Sequence, residues 1–261
     1  MTFREAWLPY IAAGAVALLL VSSVAIQQLG HAFERKDAQG RAVPLKLPNE
    51  VTRPGLAMEL ASNNAAAKEV LDAGVDMSAA PTIIAQQKLE NRRAMAAMQW
   101  WDFPFILGYV VLFWVIAQRG RLLGFVPLKV VALAAGVTAI VAGCLDVLED
   151  LAILNAISTD CTGRWQIGPF GWAKWLMVFV TMLLESSVFF SWTSLPTPQR
   201  VLTLLMGVGF FGVSLLGIQS RLLQCDASLE LDAVWMSAVF VILAIFTAWR
   251  FLQAIAHRHA T

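Results

Sequence analysis

Six apolar runs constrain this chain more than anything else in it. They are Trp7–Leu29, Trp100–Ala117, Phe125–Leu145, Trp172–Leu195, Val201–Ile218 and Ala233–Trp249. Each is about as long as a helix must be to cross a hydrocarbon core, roughly 20 residues. Backbone in lipid has to satisfy its own hydrogen bonds, and barrel strands would alternate in polarity, so the runs predict helices. Composition agrees. Of 261 residues, 58% are apolar and only 14% charged, against about a quarter charged in a soluble domain. The expected fold is an all-α polytopic membrane bundle of six transmembrane helices. It divides into 1–29 (a short tail and the first span), 30–98 (a partly helical extracytoplasmic cap) and 99–261 (a five-helix membrane region).

Charge fixes an expected orientation. With the N-terminus in the cytoplasm, inner segments carry Arg4, Arg119, Arg121, Arg200, Arg250 and Arg258, and Lys129 lies just within the third run. Their one acid is Glu5. Short outer loops carry Asp160, Arg164, Arg221, Asp226, Glu230 and Asp232, with Lys174 at the start of the fourth run. The positive-inside rule then places both termini in the cytoplasm. Tryptophans collect where the interfaces should be, with Trp100, Trp101, Trp165, Trp172, Trp175 and Trp235 toward the outside and Trp7, Trp192 and Trp249 toward the inside. The first run exceeds the 7–15 residues of a signal-peptide core, so it reads as an uncleaved span. A net charge of +1 without a basic stripe excludes a nucleic-acid binder and leaves membrane lipid as the expected partner. A protein partner or homo-oligomer stays open.

Residues 30–98 are the only long polar stretch. "DAQGRAVPLKLPNEVTRPG" is rich in turn formers and reads as irregular, with a short extended piece around Val43–Leu47. "NNAAAKEVLDAG" predicts a helix capped by asparagine and closed by Gly74. Pro81 begins another that continues toward the second run. Pro104, close after Asp102, predicts a bend there. Cys161 and Cys225 fall in the two short outer loops, where an oxidising compartment would permit a disulfide; Cys144 reads as packing inside a span.

Chemistry concentrates in "AGCLDVLEDLAIL", the end of the third run. Asp146, Glu149 and Asp150 share an arc of about 100° on one helix face, with Leu148 and Leu151 pointing away. Asp146 lies 21 residues beyond Phe125, about 31 Å along the helix, at the outer edge of the hydrocarbon. Asp102 and His31 fall at a similar height, and Glu59 is on the same side. Three uses compete. The acids can pair with Arg92, Arg93 or Arg164 in a purely structural network. They can hold a divalent cation, for which Asp102, Asp146, Glu149 and His31 are the candidate ligands, although no ligand signature of fixed spacing is present. Or crowding can raise a carboxyl's pKa for proton transfer to a lipid-borne substrate.

Glu185, in "MLLESSVFF", sits near the middle of the fourth run, where a carboxyl should face the bundle interior, protonated or bonded to Ser186, Ser187 or another helix. Gly207, Gly209 and Gly212 suit close helix packing in the fifth. There is no Walker loop, GxSxG elbow, Cys-x-x-Cys or helical histidine pair, and His257 and His259 lie in the tail. No catalytic residue can be assigned. An enzyme, a proton-coupled transporter using Glu185 and a non-catalytic scaffold all remain open.

Taken together, "AMELA", "WWDFPFILGYV" and "LDVLEDLAIL" resemble an uncharacterised group of bacterial multi-pass membrane proteins in which a Leu-Asp-x-x-Glu-Asn run ends one membrane helix. The Asn position is Asp150 here, which adds a charge. The resemblance points at Glu59, Asp102, Asp146 and Glu149 and implies no chemistry.

Overall fold

The computed structural model describes residues 3–36, 45–48, 51–122, 125–164, 166–192, 195–223 and 226–259. Its regular elements are helices: α1 (Phe3–Gly30), a 3-10 turn (His31–Phe33), α2 (Pro54–Glu59), α3 (Asn64–Leu71), α4 (Pro81–Leu122), α5 (Val126–Ser158), α6 (Gly168–Phe190), α7 (Thr197–Leu222) and α8 (Asp226–His259). Six of them are long and apolar enough to cross a membrane, and they coincide with the six runs. The chain is a multi-pass α-helical membrane protein.

The helix faces follow from side-chain size. On α5, Val130, Leu133, Val137, Ile140, Cys144, Leu148 and Leu151 are exposed and recur every three or four residues, so Cys144 faces outward and is not packed inside the bundle. That is the stripe a membrane helix turns to lipid. The opposite face carries Ala132, Ala135, Ala139 and Ala142, all at most 1% exposed, and then passes into Asp146, Glu149 and Asp150. Small side chains let neighbouring backbones approach, which is how helices associate where the solvent is as apolar as their own side chains.

The chain forms two compact units. The first comprises Met1–Leu20, Ile106–Gly143 and Lys174–Thr261. Phe210 of α7 is its hub, stacking edge-on against Phe113 of α4 at 6.0 Å and Phe189 of α6 at 5.1 Å, with Phe240 of α8 at 6.2 Å. Such pairs contribute about 0.5–1.5 kcal/mol each beyond their burial. A side chain on Gly207 would strike the Phe190 ring and one on Gly209 would strike Val239, so both allow close packing; Gly212 faces open space. Gly217, which the sequence reading passed over, lies against Phe179.

The second unit comprises Val21–Phe105 and Cys144–Ala173. Its core holds Phe33, Met58, Leu71, Met95 and Ile153, all fully buried. Asn63 caps α3, its side chain accepting from the Ala66 amide at 3.0 Å. Gly74 follows at φ +67°, in the left-handed region where a Cβ is costly, and a Cβ would also meet the Phe33 carbonyl. α4 begins at Pro81 as expected but is 42 residues long and continues through Pro104. At 1.5 Å per residue that is about 63 Å, twice the hydrocarbon thickness. Its polar first turns therefore serve as a post for the preceding segment. Gln87 accepts from the Asp76 amide and Lys88 pairs with Asp72 at 2.8 Å. Asn91 and Arg92, one turn on, bind further parts of the same unit.

Two expectations change. α2 is a helix that begins at Pro54 within the stretch read as irregular. Leu45–Leu47 carry no regular element, and Val43 and Pro44, the start of the expected extended piece, lie outside the described residues. The disulfide is also not formed at Cys161, which is a free thiol; Cys225 lies outside the described residues. Cys161 is only 6% exposed and sits in a turn at φ +59°. Burial, reinforced by the charge of Asp160, pushes its pKa up and disfavours the reactive thiolate.

Candidate functional site

The acidic face of α5 divides because a helix turns 100° per residue. Asp150 lies about 40° to one side of Asp146 and Glu149 about 60° to the other. The structure uses the two sides differently. Asp146 and Asp150 meet Asp102 of α4, and one carboxylate oxygen from each residue lies within 4.8 Å of the others. Asp146 is 4% exposed and Asp150 1%, while Asp102 is half-buried. Residues 44 positions apart in sequence thus bring three acids together in a largely enclosed place.

Glu149, fully buried, faces the start of α6 instead. A Cβ on Gly171 would collide with a Glu149 carboxylate oxygen and lie 2.5 Å from the backbone carbonyl of Glu59. Gly171 therefore marks where the end of α2, the acidic turn of α5 and the first turn of α6 converge. Gly168, one turn earlier, brings the same helix against Ser62, with a virtual Cβ 3.2 Å from the Ser62 Cα. The sequence reading chose Glu59 for its carboxyl, but the atom packed at this junction is its main-chain oxygen.

His31 stands elsewhere. Its Nδ1 is 3.0 Å from Glu34, both side chains being more than half exposed, and it is not among the grouped carboxylates. Arg92 donates to Asp160, which Lys68 also approaches at 3.6 Å. The bond from Arg92, then its charge, holds the Asp160 carboxyl below the ordinary aspartate range. Arg93 and Arg164 are exposed. Lys174, 4% exposed and one turn beyond Gly171 on α6, is a buried cation; the sequence reading placed it at the start of the fourth run but used it only in the charge balance of the outer side. Its ammonium lies 5.4 Å from the ring centre of Trp175.

Glu185 belongs to the first unit. It is 0% exposed, and neither carboxyl oxygen has a hydrogen-bond partner among the described residues. Ser186 donates to the Leu183 carbonyl at 2.6 Å, and Ser187 is exposed, so the expected bond to a neighbouring serine is not made. A buried polar group without a partner typically costs about 1–3 kcal/mol. Glu185→Leu should therefore raise stability by about that amount, read as a higher midpoint of thermal unfolding in detergent. A lower midpoint would show that the carboxyl holds helices together.

Comparison with known proteins finds no matching family model, no matching curated protein and no matching solved structure. The functional reading rests on the residues themselves.

Proposed function

We propose that this is a membrane protein of the bacterial inner membrane, with both termini cytoplasmic, which binds a hard divalent cation through Asp102, Asp146 and Asp150. The observation that carries the reading is the convergence of three carboxylate oxygens within 4.8 Å, two of them from almost fully buried residues. Like charges repel strongly where water is excluded. Oxygen ligands also suit calcium, magnesium or manganese. Two oxygens each about 2.4 Å from one calcium are at most about 4.8 Å apart, so the spacing suits a shared ion. The uncharacterised bacterial group that the chain resembles points to the same region.

Thermal unfolding of the purified protein tests this against calcium, magnesium and manganese in turn. At a hundredfold excess over Kd, a site specific to the folded state adds about 2.7 kcal/mol, a rise of several degrees. Asp146→Asn with Asp150→Asn should abolish that rise. Without cation, the double variant should lose less stability than the parent gains from the ion, because repulsion among the acids has been relieved. A structural ion-pair network predicts the reverse, since removing the acids would strand a buried basic partner. No shift with any of the three ions would refute the cation site.

A further inference from the structure

A second place in the molecule has the opposite chemistry. Within the first unit lies a cavity of about 290 Å³, at the end where α1 begins and α4, α6 and α8 finish. Its walls are apolar, with Ala12, Leu112, Phe189 and Phe246 among them. Two cations, Arg119 and Arg250, also line it, and no carboxylate is found among the described residues of its lining. The Arg250 guanidinium donates to the amide oxygens of Gln199 and Gln253 at 3.3 and 3.4 Å. Gln199 in turn donates to Gln253 at 3.1 Å. These contacts orient the guanidinium, both acceptors are neutral, and no ion pair compensates its charge among the described residues. Arginine is the side chain whose planar fork matches phosphate oxygens.

We propose that this cavity is a binding site for one anionic phospholipid, with an acyl chain along the apolar walls and the phosphate at Arg119 and Arg250. A zwitterionic lipid would fill the walls equally well, so the arginines should decide between headgroups. A basic residue near a membrane surface gains roughly fivefold in affinity for anionic lipid. The site is separate in chain position and chemistry from the carboxylate trio, and its test does not depend on any cation.

The experiment is native mass spectrometry of the full chain released from detergent containing equal amounts of phosphatidylglycerol and phosphatidylcholine. The parent should retain one phosphatidylglycerol with a preference of at least about fivefold. R119Q/R250Q should bind the two lipids about equally, and R119K/R250K should keep most of the preference. Ala12→Phe, which fills the cavity without touching either charge, should lose the retained lipid of both kinds. The same samples are heated with soluble glycerol phosphate, which should not stabilise the protein as phosphatidylglycerol does. The proposal is overturned by equal retention of the two lipids by the parent or by an unchanged preference in R119Q/R250Q. It is equally overturned if Ala12→Phe retains lipid as the parent does. If glycerol phosphate stabilises as well as the lipid, the ligand is a free phosphate and the lipid assignment fails.

Discussion

Asn91→Leu is expected to release residues 54–75 from α4 and to cost about 3–6 kcal/mol, the loss of three bonds whose partners stay buried. Asn91 is 0% exposed. Its amide donates to the Leu71 carbonyl at 2.9 Å, in the last turn of α3, and to the Ala73 carbonyl at 2.8 Å, just beyond the helix. Its oxygen accepts from Arg35 at 2.9 Å, and Arg35 also reaches the Gln87 carbonyl and Glu90. One side chain thus closes the end of α3 and fixes the segment after α1 to the post of α4. Leucine matches asparagine roughly in size, so the loss would come from stranded polar groups and not from a cavity. Hydrogen exchange across 54–75 would rise steeply in the variant, and the unfolding midpoint would fall by roughly 10 °C. Asn91→Asp would retain the bond to Arg35 while setting a charge against two carbonyls, so it should lie between parent and leucine variant only if Arg35 holds the larger share. Exchange unchanged from the parent in Asn91→Leu would refute the clamp.

Nothing in the sequence marks Asn91. A single asparagine in "LENRRAMAAM" looks solvated, because its burial depends on where a distant segment returns. α2 was illegible for a related reason. Six residues between Pro54 and Glu59 are too short to show a period, and their helix is secured by packing of Leu56, Ala57 and Met58. The spans were legible because lipid imposes a length and a polarity on each segment separately. The cap of α3 and the start of α4 were legible because Asn63 and Pro81 act on their own backbone. For the carboxylates, helical periodicity was enough to put Asp146, Glu149 and Asp150 on one face. It could not say that Asp102 would join one side of the arc and Gly171 the other, since that depends on tertiary approach. His31 was chosen by height alone, and height does not determine direction.

Gly171→Ala is expected to destabilise the protein, although helix propensity alone argues the opposite. Alanine is favoured over glycine inside a helix by about 1 kcal/mol. Gly171 lies in the first turn of α6 without a positive φ, so no backbone strain opposes the change. What opposes it is space. The new Cβ would meet a Glu149 carboxylate oxygen, which can swing aside, and the Glu59 carbonyl at 2.5 Å, which cannot. That carbonyl ends α2, whose last turn is tied by the Leu60 amide to Leu56 and Met58. Relief therefore requires moving the helix. Overpacking of this kind costs typically about 1–3 kcal/mol, enough to outweigh the gain in propensity. Gly171→Val, bulkier and without that gain, should sit at or beyond the upper end of the range and lower the unfolding midpoint by several degrees. Displacing Glu149 would also disturb Asp146 and Asp150, its neighbours on α5, so cation-dependent stabilisation should weaken even in the alanine variant. Should Gly171→Ala instead melt at or above the parent temperature, α2 and α6 are not in contact here, and the junction beside the carboxylates has no structural basis.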